Sequence, residues 1–250
     1  MEGNITLGLL LIATNKYKQF VPQFLESADK HFFKGYPLEV YLFTDEFTGF
    51  DEKGGLGNIS DRMTVRLYGI EPYKFPHATL LRYKIFHSYR KIIDCDYIFY
   101  ADVDTQFVDD VGKEILPTPE MEQLVAVRHC GFYGQGGGSW ETRPESTSYV
   151  PEEKRIYYYA GGFQGGRTDV YLNYAKQLAE NIKADGAKNI IPVWHDESAW
   201  NCLLSGLDSF RELTPDYCMV EQEHLRKEWK VDSFPPKLVA LAKNHEELRK

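Results

Sequence analysis

The chain has 250 residues, 43% of them hydrophobic, which is enough to bury a core without disulfide support. Its 29 Lys and Arg against 37 Asp and Glu leave a formal charge of −8 with no basic cluster, which excludes a chain built to hold nucleic acid or another polyanion. The longest apolar run, Leu7 to Ala13, falls far short of the roughly 20 residues of a membrane-spanning helix, Met1-Glu2 lacks a signal peptide's basic start, and Cys95, Cys130, Cys202 and Cys218 form no CxxC pair, so a soluble, cytoplasmic chain with reduced thiols is expected.

Ile5 to Ala13 is nearly continuous in apolar residues and stops at Thr14-Asn15, as a strand buried on both faces would; Phe20, Phe24, Ala28 and Phe32 then recur at helical spacing. Leu38 to Phe43 and Met63 to Leu67 read as strands, Thr79 to Ile93 as a helix, and Tyr97 to Ala101 as a further strand. This alternation predicts an α/β fold with a parallel sheet. Past about residue 104 the pattern loosens into a stretch rich in glycine and tyrosine, Gly131 to Gly166, and helices are expected near Asp169 to Lys183 and Asp196 to Leu204. No repeat or low-complexity tract divides the chain, so the second half reads as a site-building region packed on the first.

In an open α/β sheet, ligands sit beyond the carboxyl ends of the strands, which directs attention to Thr14 to Tyr17, Thr44-Asp45 and Asp102-Val103-Asp104. Asp102 and Asp104 leave an apolar strand together. Two hard carboxylates suit Mg²⁺ or Mn²⁺ shared with a diphosphate; an ordinary acidic turn would use the same residues. In Trp194-His195-Asp196-Glu197-Ser198 the acids can cap a helix, or a carboxylate among aromatic rings can stabilise an oxocarbenium-like centre. Tyr157 to Gly166 joins aromatic rings to glycines, giving either stacking faces and close backbone approach for a sugar or a tight bend in a sheet. Lys243 and Arg249 lie in a tail that would ordinarily be solvated, or whose basic groups could fold over a diphosphate. No GxGxxG or Walker pattern follows the first strand, which argues against nicotinamide and P-loop chemistry.

The segments IATNKY (12–17), YLFTD (41–45), the Asp-Val-Asp triplet, VGKEIL (111–116), HCGFY (129–133), YYAGGFQGG (158–166), VWHDES (193–198) and KNHEELR (243–249) resemble the family 6 glycosyltransferases in letters, order and spacing. These are the retaining α-1,3-transferases that include the histo-blood group A and B enzymes, the α-1,3-galactosyltransferases and Forssman synthase. The resemblance implies a single domain of two-lobed GT-A type around a mixed, mainly parallel sheet. About residues 1–110 would bind a nucleotide sugar and about 111–250 an acceptor, with a closing C-terminal tail.

Carried over position by position, it implies that Ile12, Ala13 and Tyr17 border the uracil and ribose, that Arg82 reaches the donor, and that Asp102 and Asp104 hold Mn²⁺ or Mg²⁺ with Val103 beside the ribose. His129 and Trp194 would touch the acceptor galactose, Asp196 the donor sugar, and Glu197 would lie under the anomeric carbon. Ala160, Gly161 and Gly162 occupy the donor-selecting position, where small residues leave volume for a 2-acetamido group. Lys243 and Arg249 would close over the diphosphate. The expectation is a metal-dependent transfer of GalNAc from UDP-GalNAc to the 3-OH of a β-galactoside, fucosylated H-type acceptors included. UDP-Gal as donor, a non-catalytic sugar or nucleotide module, and a hydrolase using Asp196 or Glu197 with Asp102 are the alternatives. Many microbial relatives carry asparagine in place of both metal-binding acids, which this chain keeps. A form without the membrane anchor and stem of vertebrate members is expected. Val220 stands where those members often place an acidic acceptor contact.

Overall fold

The first apolar run forms β1 (Leu7–Ala13), a central strand with a neighbour on each edge. The structure, a computed structural model, describes residues 5–50 and 55–248. Alternation along β1 splits its side chains between two apolar layers: Leu9, Leu11 and Ala13 face one and Leu10 the other. A 3-10 turn, Asn15–Phe20, leads into α1 (Val21–His31), which lays Phe24, Leu25 and Ala28 on the first layer. Parallel strands β2 (Leu38–Thr44) and β3 (Met63–Gly69) extend the sheet on that side.

The helix expected over 79–93 forms in two pieces, α2 (His77–Leu80) and α3 (Arg82–Ser88), followed by a 3-10 turn at Arg90–Ile92. The break falls at Leu81 (φ −91°, ψ 5°), and α3 therefore begins at Arg82, whose side chain is buried against the sheet's end. Next comes β4 (Tyr97–Ala101), parallel to β1, with Asp102 to Asp104 immediately after it.

The second half adds to the same sheet. After β5 (Thr105–Phe107) and β6 (Glu122–Arg128), the glycine-rich tract supplies β7 (Tyr159–Arg167), antiparallel to both β4 and β6. Then follow α4 (Thr168–Ala187), α5 (His195–Leu204), β8 (Phe210–Leu213), β9 (Met219–Val220), α6 (Glu223–Glu228), β10 (Leu238–Ala240) and α7 (His245–Leu248). The strand order is β3-β2-β1-β4-β7-β6-β8, with a smaller sheet β5-β10-β9 beside it. The sheet is thus mainly parallel, with β7 as the reversed strand. Helices α3, α4 and α5 cover the second layer, around Trp200, Tyr171 and Phe86. Among the described residues no helix is long and apolar enough to cross a membrane, and all four cysteines are free thiols.

Glycine explains why so apolar-poor a tract can be an inner strand. A Cβ on Gly165 would lie 2.4 Å from the Ile98 carbonyl oxygen and 2.6 Å from Phe99 Cδ1, so β7 approaches β4 too closely for any side chain there. Gly165→Ala should lower stability by about 2–4 kcal/mol, read as a lower urea midpoint at unchanged slope. A midpoint equal to that of the parent chain would mean that the two strands part easily.

Candidate active site

A cleft of about 460 Å³ opens where β1 and β4 end, and its walls include Ile12, Thr14, Tyr17, Arg82, Asp102, Val103, Asp104 and Lys243. Most residues expected around a nucleotide sugar therefore share one hollow. Ala13 does not: next to Ile12 on β1 it points the opposite way, into the core, so its methyl group cannot border the cleft. A roomier hollow of about 1070 Å³ lies around Asp94 to Tyr97 and Arg167 to Asn173 and touches none of the cleft's side chains. We place the chemistry in the smaller cleft, because that is where the carboxylates converge.

Arg82 organises the site. Only 4% exposed, its Nη1 donates to the Gly161 carbonyl (2.8 Å), its Nη2 to Asp102 Oδ1 (3.3 Å), and its Nε lies 3.0 Å from Asp196 Oδ2. The guanidinium also stacks 4.2 Å from the Tyr100 ring centre. Burial opposes its charge, but Asp196 and the groups behind it outweigh burial and hold it ionised. Asp196 is as buried as its partner, and burial pushes its carboxyl up to about 7 with Arg82 pulling against it.

Tyr100 was not singled out by sequence, although it stands two residues before Asp102 on the same strand face, and its hydroxyl donates to Asp102 Oδ1.

Glu197 follows in the first turn of α5. Burial lifts its carboxyl to about 7, opposed by the Gly161 amide, which donates to Oε2 at 2.7 Å, and by the Tyr158 hydroxyl. Helix capping does not explain these acids: the cap position falls on Trp194, which makes no side-chain cap, while Asp196 turns to Arg82 and Glu197 to β7. The glycines of β7 admit them. A Cβ at Gly161 would lie 3.2 Å from Glu197 Cβ and 3.5 Å from Asp196 Oδ2, and one at Gly162 would lie 3.1 Å from both Asp102 Oδ2 and Cys218 Sγ. The room that glycine leaves at 161 and 162 is thus filled by the chain's own acids and thiol, and Ala160 beside them is buried.

On the other side of Glu197 is an aromatic wall. Tyr158 packs edge-on against Trp140 (5.0 Å) and His129 (5.8 Å), and His129 lies 4.9 Å from Phe132. Burial pushes the His129 imidazole down to about 4, leaving it neutral with Nδ1 accepting from the Gly131 amide (3.1 Å). Trp194 stands 51% exposed at the start of α5.

From the tail, Lys243 makes an ion pair with Asp104, and Lys16 Nζ donates to the Glu247 carbonyl at 2.8 Å, which draws α7 to the end of β1. Arg249 lies outside the described residues. Among the described residues no three His, Cys, Asp or Glu gather as a metal cage, but Asp102 and Asp104 line one cleft with oxygen donors only. Both already attract cationic side chains, Arg82 and Lys243, so the donor set suits a hard divalent ion shared with a ligand.

All 250 residues match the family model described as glycosyltransferase family 6. Histo-blood group ABO system transferase 1 of Rattus norvegicus is 33% identical over 252 aligned positions, covering 98% of this chain and 69% of the rat protein. Globoside alpha-1,3-N-acetylgalactosaminyltransferase 1 of Gallus gallus is 28% identical over 255 positions, covering 100% of this chain and 71% of its own length. The O-antigen biosynthesis glycosyltransferase WbnI of Escherichia coli is 29% identical over 204 positions, 79% of this chain and 81% of that protein.

Burying Glu197 has a thermodynamic signature. Between its ordinary value of 4.5 and about 7, the folded chain keeps a proton that the unfolded chain has lost, so stability falls as pH rises through that window. Glu197→Gln removes the ionisable group. It should be more stable than the parent by about 1–3 kcal/mol at pH 8, with the gap closing toward pH 5, in urea unfolding over a pH series. A gap that is absent, or constant with pH, would show that the carboxylate is not destabilised by the fold.

Proposed function

Because the chain belongs to glycosyltransferase family 6 and is a glycosyltransferase built on a GT-A-like fold, we propose that it moves GalNAc from UDP-GalNAc to the 3-OH of a β-galactoside with retention at the anomeric carbon. One observation carries this reading: Arg82, Asp102, Asp196 and Glu197 converge on the Gly161–Gly162 backbone at the carboxyl edge of the sheet. GalNAc as the sugar is supported by the N-acetylgalactosaminyl specificity in the name of the Gallus gallus relative.

In this reading, Asp102 and Asp104 would hold manganese or magnesium, which when bound supplies positive charge against the diphosphate of the donor. Ile12, Tyr17 and Val103 line the nucleoside end of the cleft. Asp196, ion-paired with Arg82, receives a hydroxyl of the donor sugar. Glu197 lies under the anomeric carbon, where its carboxylate stabilises the positive charge that develops as the diphosphate leaves. The Gly161 amide fixes which way that carboxylate points. His129 and Trp194 hold the acceptor galactose, the neutral imidazole donating a hydrogen bond from Nε2 without adding charge. Lys243 and the tail close over the diphosphate and exclude water. Free thiols fit a reducing compartment, the cytoplasm in this proposal.

Mass spectrometry of products from UDP-GalNAc and UDP-Gal, each offered with lactose and 2′-fucosyllactose and repeated with metal chelated, tests the whole assignment. GalNAc transfer lost on chelation is expected; transfer of galactose alone would reassign the donor, and binding without product would make the chain a sugar-nucleotide module. Glu197→Gln should lower kcat by about two to four orders of magnitude, and near-normal turnover in the folded variant would remove Glu197 from the reaction.

The ion pair on Asp104 yields a separate expectation. Without UDP, Lys243→Met should bind manganese several-fold more tightly than the parent, about 3- to 10-fold by electron paramagnetic resonance titration, since an internal counter-charge is gone. Unchanged or weaker binding would mean that Lys243 does not compete for Asp104.

A further inference from the structure

The segment that delivers Trp194, Asp196 and Glu197 has no regular structure of its own. Residues 189–194 carry neither helix nor strand, and Ile191, Val193 and Trp194 are 43%, 51% and 51% exposed. At its end His195 adopts φ 53°, a left-handed conformation that costs a side-chain-bearing residue roughly 1–2 kcal/mol. Such a stretch keeps one conformation only when the surroundings fasten it.

At its two ends the segment is tied by the Ile190 amide to the Asp185 carbonyl (2.9 Å) and by the Trp194 amide to Ser198 Oγ (2.9 Å); between them the fastening comes from Glu141 and Arg143. Glu141, 2% exposed, accepts at Oε2 from the Val193 amide (2.9 Å) and from Arg143 Nη2 (2.5 Å). The same Nη2 donates to the Ile191 carbonyl at 2.7 Å, and Arg143 Nε donates to Glu141 Oε1 at 2.8 Å. One carboxylate and one guanidinium thereby grip a donor and an acceptor two residues apart on the exposed segment. Hydrogen bonding to Arg143 holds the Glu141 carboxyl down at about 2, so the grip stays charged at any working pH. Its base is fixed as well: Asp185 on α4, fully buried, accepts from Ser146 Oγ and the Thr147 amide at 2.7 Å each.

We propose that Glu141 and Arg143 are positioning residues for the acceptor side of the site, setting where Trp194 stands while touching no substrate themselves. This rests on the acceptor role given to Trp194 above. The donor side has anchors of its own, Asp196 beside Arg82 and Glu197 through the Gly161 amide; the two halves meet where the Trp194 carbonyl accepts from the Glu197 amide (3.0 Å), and Gly161 keeps Glu197 in place when the clamp is loosened. Trp194 holds the acceptor rather than a reacting atom, so displacing it weakens acceptor binding while the Glu197 carboxylate stays where the Gly161 amide holds it.

Arg143→Met is the first variant, chosen because the Arg143 side chain is 48% exposed and its truncation opens no cavity; the Glu141 carboxylate, left without its counter-charge, keeps the Val193 and Arg143 amides as donors. Acceptor KM should rise about tenfold, with kcat at saturating acceptor within about twofold of the parent, and Arg143→Lys should recover part of the loss. Amide hydrogen exchange of peptides covering 189–195 should accelerate at least about tenfold in Arg143→Met, with 196–204 unchanged. An unchanged acceptor KM, a fall in kcat as large as the rise in KM, or unchanged exchange over 189–195 would each overturn the proposal. Should the parent chain transfer no sugar, the functional reading fails, and the exchange measurement still decides the clamp by the same criterion.

Discussion

A single buried guanidinium joins three parts of the chain that are far apart in sequence. Arg82 reaches the end of β4 through Asp102, the middle of β7 through the Gly161 carbonyl, and the start of α5 through Asp196. Taking such a charge out of water is expensive, and removing one member of a buried pair typically costs about 3–5 kcal/mol because the other charge is left uncompensated. The constraint therefore works in both directions. Acids can collect at the sheet edge only because Arg82 is there, and Arg82 can be buried only because the acids are.

The reversed strand β7 is the second half of that constraint. Carboxylates that follow β4 and open α5 approach its backbone so closely that a Cβ at Gly161 or Gly162 would press on them at 3.1–3.5 Å, and glycine admits them without that crowding. The Gly161 peptide serves both sides, its amide donating to Glu197 and its carbonyl accepting from Arg82. A hydrogen bond to a charged partner is among the stronger ones in proteins, so the orientation of Glu197 is set before any ligand arrives. Burial keeps that carboxyl near 7 rather than at its ordinary value, which stores in the folded chain a cost that a developing positive charge would relieve.

The parts of this arrangement visible in sequence are those with local periodicity. The apolar runs that became β1, β2 and β4 carry their burial in consecutive letters, and Asp102 to Asp104 follow from where β4 stops. The acids of Asp196 and Glu197 were visible as residues but not as roles, because capping and catalysis use the same side chains until the partner is known. β7 was hidden for a physical reason: its inner face is built from glycines and Gln164 rather than from a β-branched run, and its pairing partners lie about 30 to 70 residues away. The break at Leu81 and the grip of Glu141 on Val193 were hidden likewise, since both are set by tertiary contacts rather than by propensity.

What distinguishes the two sides of the cleft is how each is held. Asp196 and Glu197 are fixed by partners that are themselves buried, so their geometry resists small displacements. The tail is held differently: α7 spans four residues, and its ties run through Lys243 to Asp104 and through Lys16 to the Glu247 carbonyl. Both ties use an ammonium, a compact charge that a diphosphate would also attract. A polyanionic donor entering the cleft thus competes for the groups that secure the tail, whereas it finds Arg82 already committed. In the proposed reaction, rigidity would be concentrated where positive charge develops on the sugar, and exchangeable contacts where the leaving group would be enclosed and later released.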